Sequence, residues 1–281
     1  MPPPALLLHG FLGRGADWTP AASRLASSRH VLAPDLPGHG AAHSDDRATR
    51  SQDAATHPGH DARRADDAEP FDVAAPRPGG LAWAADRLAA HLDAAGVAVA
   101  DVAGYSMGGR LALLFALRHP GRVRRLVLLS ASPGLASPQE RAARRAADAA
   151  LADEIVADFP AFLDRWTRQP LFASLSDAQR AALVADRLAH GRPAALAAAL
   201  AAMGTGAMAP LWEPLRTLGV EAHAGRGVET HAVAGALDAK FVALARAMDP
   251  PARVHVLAGA GHNLLAEAPA ALGRLLLHLL D

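Results

Sequence analysis
The stretch VADVAGYSMGGRLALLFALRHP, Val99–Pro120, constrains the fold more than any other part of the chain. An apolar run ends at Gly104, a helix-spaced run closes at Pro120, and Ser106 stands on the corner between them. G-x-S-x-G between a strand and a helix puts the serine on a strained bend with its hydroxyl exposed, and the flanking glycines let the backbone pass closely. A strand feeding directly into a helix points to alternating elements, with a mostly parallel sheet covered by helices on both faces.

The remaining segments supply that alternation. ALLLHGF from Ala5, HVLAPDLPGHG over His30–Gly40, VRRLVLLSA, ETHAVAG and ARVHVLAG read as short buried strands. LAWAADRLAAHLDAAG, KFVALARAM and a segment from about Pro269 carry helical spacing. Residues 137–207 read as helices only, and SPQE at Ser137 and SDAQ at Ser176 are capping boxes that open two of them. A helical insertion between two strands of such a sheet would cap the strands' C-terminal ends, where open α/β sheets hold their ligands. The expected division is a core over 1–136, a helical cap over 137–207, and the rest of the core over 208–281. Residues 41–80, rich in charge, proline and glycine and poor in large apolar residues, read as a mobile loop.

At 281 residues the chain can bury one α/β core with an inserted subdomain. Its 28 Lys and Arg balance 28 Asp and Glu, which argues against nucleic acid or an anionic membrane as partner. With no cysteine there is no disulfide, thiolate metal site or cysteine nucleophile, which fits a reducing compartment. MPPPALLLHG lacks a basic segment and a long apolar core, and charges interrupt the alanine-rich runs. A cytoplasmic protein with no signal peptide and no membrane insertion is expected, as a monomer or weak homo-oligomer. The zero balance hides an asymmetry: from Arg110 to Arg187 there are 12 arginines against 8 acids. Arginine forks grip carboxylates in a bidentate manner, so a basic cap predicts a small polycarboxylate substrate.

A serine hydroxyl needs a base and an orienting acid. His262, in AGAGHNLL, follows the last strand, and Asp238, in GALDAKF, follows the one before it; both fall at the strand ends that carry Ser106. Asp101 is a rival acid, but it precedes the elbow on its own strand. The backbone N–H groups of Phe11, in HGFLG, and Met107 are the expected oxyanion donors, with His9 and Gly10 shaping the backbone. Arg110, one helical turn after Ser106, is placed to hold an anion near the reacting centre, or else is a surface arginine paired with an acid. His57 and His60 have metal-ligand character but no further ligands, so neither a metal nor any other cofactor is expected. The pattern suits the oxyanion of an ester intermediate and that of an enolate alike, so a serine hydrolase, such as a carboxylesterase or C–C bond hydrolase, and a lyase both remain open. An inactive α/β-fold binding protein has no need of all three of Ser106, Asp238 and His262.

The segments LHGFLG, DLPGHG, GYSMGGR, SPGL with ERAARRAAD, FLDRWTRQPLFASL, LDAKF and GAGHN resemble the 2-succinyl-6-hydroxy-2,4-cyclohexadiene-1-carboxylate synthases, lyases of menaquinone biosynthesis with the α/β-hydrolase fold. They cover most of the chain outside residues 41–80. The resemblance implies a Ser106–Asp238–His262 triad that serves as a base, and substrate carboxylates held by Arg110, Arg144 and Arg187. It also implies that Tyr105, Trp166 and Lys240 line the site. The implied reaction eliminates pyruvate from 2-succinyl-5-enolpyruvyl-6-hydroxy-3-cyclohexene-1-carboxylate without water or cofactor. One position departs from the pattern: Thr167 stands where an aromatic residue is expected after Trp166.

Overall fold
The structure, a computed structural model, describes residues 2–40, 80–223 and 227–281. The segment 41–79, which includes His57 and His60 and all but the last residue of the expected mobile loop, lies outside the described residues. In chain order the elements are β1 (Ala5–Leu8), α1 (Thr19–Ala26), β2 (Val31–Leu32), α2 (Leu81–Ala94), β3 (Ala100–Tyr105), α3 (Met107–Arg118) and β4 (Val123–Leu129). Helices α4 (Pro138–Ala157), α5 (Phe159–Thr167), α6 (Asp177–His190), α7 (Pro193–Met203) and α8 (Trp212–His223) follow. The chain closes with β5 (Glu229–Gly235), α9 (Ala239–Ala247), β6 (Arg253–Leu257), α10 (Leu264–Glu267) and α11 (Pro269–Leu280). The strands form one sheet in the order β2-β1-β3-β4-β5-β6, and every pair is parallel.

Alternation along each strand sends side chains to two separate cores. Leu6, Leu8, Val102, Leu126, Leu128, Ala232 and Ala234 pack on one face with Leu88 of α2, Phe115 of α3 and Leu215 of α8. Ala5, Leu7, Ala103, Val127, Leu129 and Val233 pack on the other with Leu25 of α1 and Leu272 and Leu276 of α11. This burial on both faces is why the strands read as unbroken apolar runs.

Two elements differ from the sequence expectation. β2 pairs over only two residues, because Pro34 and Pro37 follow it and lack the N–H a ladder needs. α1 is a helix that its short sequence hardly announces: it buries only Ala21, Ala22 and Leu25.

At the sheet's N-terminal end the rival acid finds its partners. Asp101 is fully buried and accepts from Arg29 at 2.8 Å and from Arg124 Nε at 2.8 Å; both arginines also donate to the Leu280 carbonyl at the end of α11. Asp101 therefore ties the last helix to β3, at the opposite end of that strand from Ser106.

The helices between β4 and α8 begin with the expected caps: Ser137 accepts from the Glu140 N–H and Ser176 from the Gln179 N–H. Ile155, Phe159, Phe162, Leu163, Leu196 and Leu200 form their own apolar cluster, closed by Leu12 from the loop after β1. The helical layer thus sits on loops that leave the C-terminal ends of the strands.

Candidate active site
Ser106 joins β3 to α3 with φ +52° and ψ −108°, a region that a residue with a side chain enters only when its surroundings hold it there. Its N–H donates to the Leu129 carbonyl at 2.9 Å. The bend also needs its glycines: a Cβ on Gly104 would lie 2.3 Å from the Gly108 oxygen, and one on Gly108 would lie 2.3 Å from the Leu8 oxygen.

Ser106 Oγ lies 3.4 Å from His262 Nε2. His262 Nδ1 donates to Asp238 Oδ2 at 2.8 Å, which leaves Nε2 as the acceptor for the serine hydroxyl. The other Asp238 oxygen accepts from the Phe241 N–H at 3.2 Å and caps α9. Both Asp238 and His262 are buried. The Phe241, Tyr105 and Phe172 rings surround the imidazole, with centroids at 4.5, 5.5 and 5.8 Å.

The two residues expected to donate to an oxyanion belong to the start of α3 and to the loop after β1. Met107 is the first residue of α3, so its N–H has no acceptor within the helix. Phe11 lies in the turn closed by the Gly13 N–H on the Gly10 carbonyl at 3.0 Å, with Leu12 at φ +65°. His9 braces that turn: its Nδ1 donates to the Gly10 carbonyl at 2.8 Å and its Nε2 accepts from the Leu36 N–H at 2.9 Å. Burial pushes its pKa down to about 4, so it is neutral in this role. His39 packs edge-on to both His9 and Phe11, and burial lowers it to about 3.

Beside these groups opens a cleft of about 240 Å³. Phe11, Tyr105, Trp166, Thr167, Phe172 and Arg187 are among its walls. Trp166 lies between Phe162 and Phe11, at 5.5 and 5.6 Å. Thr167 turns its hydroxyl back onto the Leu163 carbonyl at 2.9 Å.

The sequence-predicted cations divide. Arg187 reaches the cleft, but Asp17 and Asp186 already hold its guanidinium. Arg14 completes an alternating set of four charges that links the loop after β1 to α6. Burial would raise the Asp186 carboxyl, yet Arg14 and Arg187 overcome this and hold it below its usual range. Sequence reasoning missed Asp17 and Asp186, because their role appears only once α6 lies over the first loop.

Arg110, Arg144 and Lys240 do not wall this cleft. The buried Arg110 donates from Nη1 to the Met203 carbonyl at 2.7 Å, taking the free acceptor at the C-terminus of α7. Burial, with the charge of Arg144, lowers its pKa to about 10. Arg144 bonds Asp148 one turn along its own helix at 2.7 Å. Its neighbours Arg141 and Arg145 donate to the carbonyls of Leu135 and Gly206. Lys240 is exposed, with Nζ 5.7 Å from the Phe241 ring centroid. Among the described residues no group of three or more His, Cys, Asp or Glu side chains is arranged to hold a metal ion. No described helix is long and apolar enough to cross a membrane.

A serine on a strand–helix elbow, with an acid and a histidine from later strand ends, defines an α/β-hydrolase, and the sequence profile of the alpha/beta hydrolase fold matches residues 3–269. The chain is 31% identical to 2-succinyl-6-hydroxy-2,4-cyclohexadiene-1-carboxylate synthase of Enterobacter sp. (strain 638), over 98% of this chain and 90% of that protein. It is 30% identical to Protein PHYLLO, chloroplastic, of Arabidopsis thaliana over 75% of its own length, a match that spans 11% of that longer protein. The structure of MenH from S. aureus is similar with a TM-score of 0.77 at 27% identity, covering 99% of this chain and 93% of that one. The chain belongs to the 2-succinyl-6-hydroxy-2,4-cyclohexadiene-1-carboxylate synthase family of the α/β-hydrolase fold.

Proposed function
We propose that this protein is a carbon–oxygen lyase that eliminates pyruvate from 2-succinyl-5-enolpyruvyl-6-hydroxy-3-cyclohexene-1-carboxylate to give 2-succinyl-6-hydroxy-2,4-cyclohexadiene-1-carboxylate. His262, held in one tautomer by Asp238, draws the proton from Ser106 Oγ, and the resulting alkoxide removes the ring proton next to the succinyl ketone. The start of α3 favours negative charge at the serine. The ketone oxygen becomes an enolate oxygen, stabilised by the Phe11 and Met107 N–H groups. Collapse of the enolate breaks the ring C–O bond and expels enolpyruvate, which takes up a proton and becomes pyruvate. No water is consumed, and no step calls on a metal or organic cofactor. Arg187 holds one substrate carboxylate, and residues 137–207 act as the cap that shields the reaction.

The observation that supports this reading most is the hydrogen-bonded chain from Asp238 through His262 to Ser106 beside a cleft that Arg187 reaches. It occurs in a chain that matches synthases of this name along nearly its full length. The test is pyruvate release by the purified protein from the enolpyruvyl substrate. An unchanged rate in Ser106→Ala would sink the mechanism.

A second reading, a serine hydrolase such as a carboxylesterase or C–C bond hydrolase, draws on a different observation. The cleft walls are largely apolar, and two carboxylates already neutralise Arg187. A hydrolase would accumulate a covalent acyl-Ser106, turn over simple esters, and respond little to Arg187→Ala or Arg110→Ala.

A further inference from the structure
Glu267 lies at the end of α10, five residues beyond His262, and sequence reasoning gave it no role. Its carboxylate reaches back over the helix. Oε2 accepts from the Gly261 N–H at 2.6 Å, and Oε1 accepts from the Asn263 N–H at 2.9 Å. These are the N–H groups of the two residues that flank His262 in the chain, so one side chain grips the backbone before and after the residue that carries the imidazole. Hydrogen bonds to a charged acceptor are short and roughly twice as strong as neutral ones.

The grip is enclosed from the other side. A Cβ on Gly261 would lie 1.9 Å from Ser174 Oγ and 3.0 Å from Glu267 Oε2, so the residue before His262 is packed between the helical layer and the carboxylate. Gln179 of α6 donates to the Ala266 carbonyl at 2.8 Å and fixes the same loop. The catalytic contact itself is loose by comparison, at 3.4 Å between Nε2 and Oγ. A small tilt of the loop would break it, and misplacing a reacting group by about 1 Å can reduce a rate about 10²-fold.

We propose that Glu267 is a positioning residue for the Ser106–His262 pair, its carboxylate clamping the Gly261 and Asn263 N–H groups so that Nε2 stays within reach of Oγ. This rests on the triad reading given above, but not on the identity of the substrate. Glu267→Gln keeps the size of the side chain but offers one acceptor oxygen and turns an NH2 donor toward the other N–H. Glu267→Asp keeps the charge but is one methylene too short to span both groups.

The experiment measures kcat and KM of the full chain and both variants for pyruvate release and for hydrolysis of p-nitrophenyl acetate, with urea midpoints recorded in parallel. The expected result is a fall in kcat of about 10-fold or more in both variants, in whichever reaction the parent performs, with KM within about twofold. Equal kcat per folded molecule in parent and Glu267→Gln overturns the proposal, and so does a loss that follows the unfolded fraction alone. A parent that releases no pyruvate but hydrolyses the ester removes the lyase reading and leaves Glu267 to be judged on ester turnover. A parent that performs neither reaction, though folded, removes the working triad and this proposal with it.

Discussion

Ser106, Asp238 and His262 lie far apart in the chain and meet; Arg110, Arg144 and Arg187 lie within one stretch of it and disperse. The cause is what each side chain hangs from. Ser106, Asp238 and His262 follow β3, β5 and β6, whose C-terminal ends are aligned by the parallel ladders β3–β4, β4–β5 and β5–β6. Short side chains on aligned strand ends have little choice of position. Arginine has a long stem and five donors, and it goes to the nearest acceptor. For Arg110 that is the Met203 carbonyl, for Arg144 it is Asp148, and for Arg187 it is a pair of carboxylates beside the cleft.

The largest effect should fall on the triad side. Ser106→Ala and His262→Ala are each expected to reduce pyruvate release by about 10² to 10⁴-fold, the range for loss of a general base, with KM little changed. A KM effect as large as the kcat effect would mean that the serine binds substrate rather than moving a proton.

Next comes the cation that reaches the cleft. Arg187→Ala is expected to raise KM by about 10²-fold, as for truncation of a hydrogen-bonded charge pair. Arg110→Ala should raise it less and lower the urea midpoint more, because it leaves the buried Met203 carbonyl without its donor. A reversed order of the two KM values would show that substrate draws Arg110 away from α7, and the contrast between the two regions would fail.

A smaller effect concerns the buried histidines beneath the Phe11 turn. His9 and His39 titrate at about 4 and about 3 in the folded chain, against about 6.5 when unfolded. Below about pH 6.5 the unfolded state binds protons that the folded state refuses, so stability falls with pH, by about 1.4 kcal/mol per unit for each residue. The loss levels off only below the folded values. The paired Asp186 carboxyl acts in the same direction at lower pH. Urea midpoints at about pH 7 and about pH 5 should therefore differ, the second being lower. Equal midpoints would mean that these rings are already solvated.

The legible features were those written in local pattern. The elbow, the parallel alternation and the capping boxes at Ser137 and Ser176 depend on residues within a few positions of one another, and the structure contains them. Asp238 and His262 could be singled out because a strand end announces itself by a glycine after an apolar run. Side-chain direction was not legible. Met203 is 93 residues from the guanidinium it accepts, and Asp17 is 170 from Arg187, so only the packing of α6 and α7 brings these partners together. Glu267 was hidden for another reason: it acts on backbone N–H groups, which leave no mark in a pattern of side chains.

Lys240 should give the smallest effect and the sharpest check on the comparison. It is the only lysine in the chain, and by resemblance it belongs to the substrate site. Its position argues otherwise: it sits in the first turn of α9, exposed, with its ammonium 5.7 Å from the centroid of the Phe241 ring. A cation–ring contact at a solvent-accessible site contributes about 0.5–1 kcal/mol, and a solvated ammonium retains most of its hydration. Lys240→Ala is therefore expected to change kcat and KM by less than about twofold and the urea midpoint only slightly. Phe241 packs against the His262 imidazole, with ring centroids 4.5 Å apart, so Phe241→Ala serves as the contrast: it should lower kcat far more than its neighbour does. A KM increase in Lys240→Ala comparable to that in Arg187→Ala would place a second cation against the substrate from the core side. Charge recognition would then belong to the strand ends as much as to the helices above them.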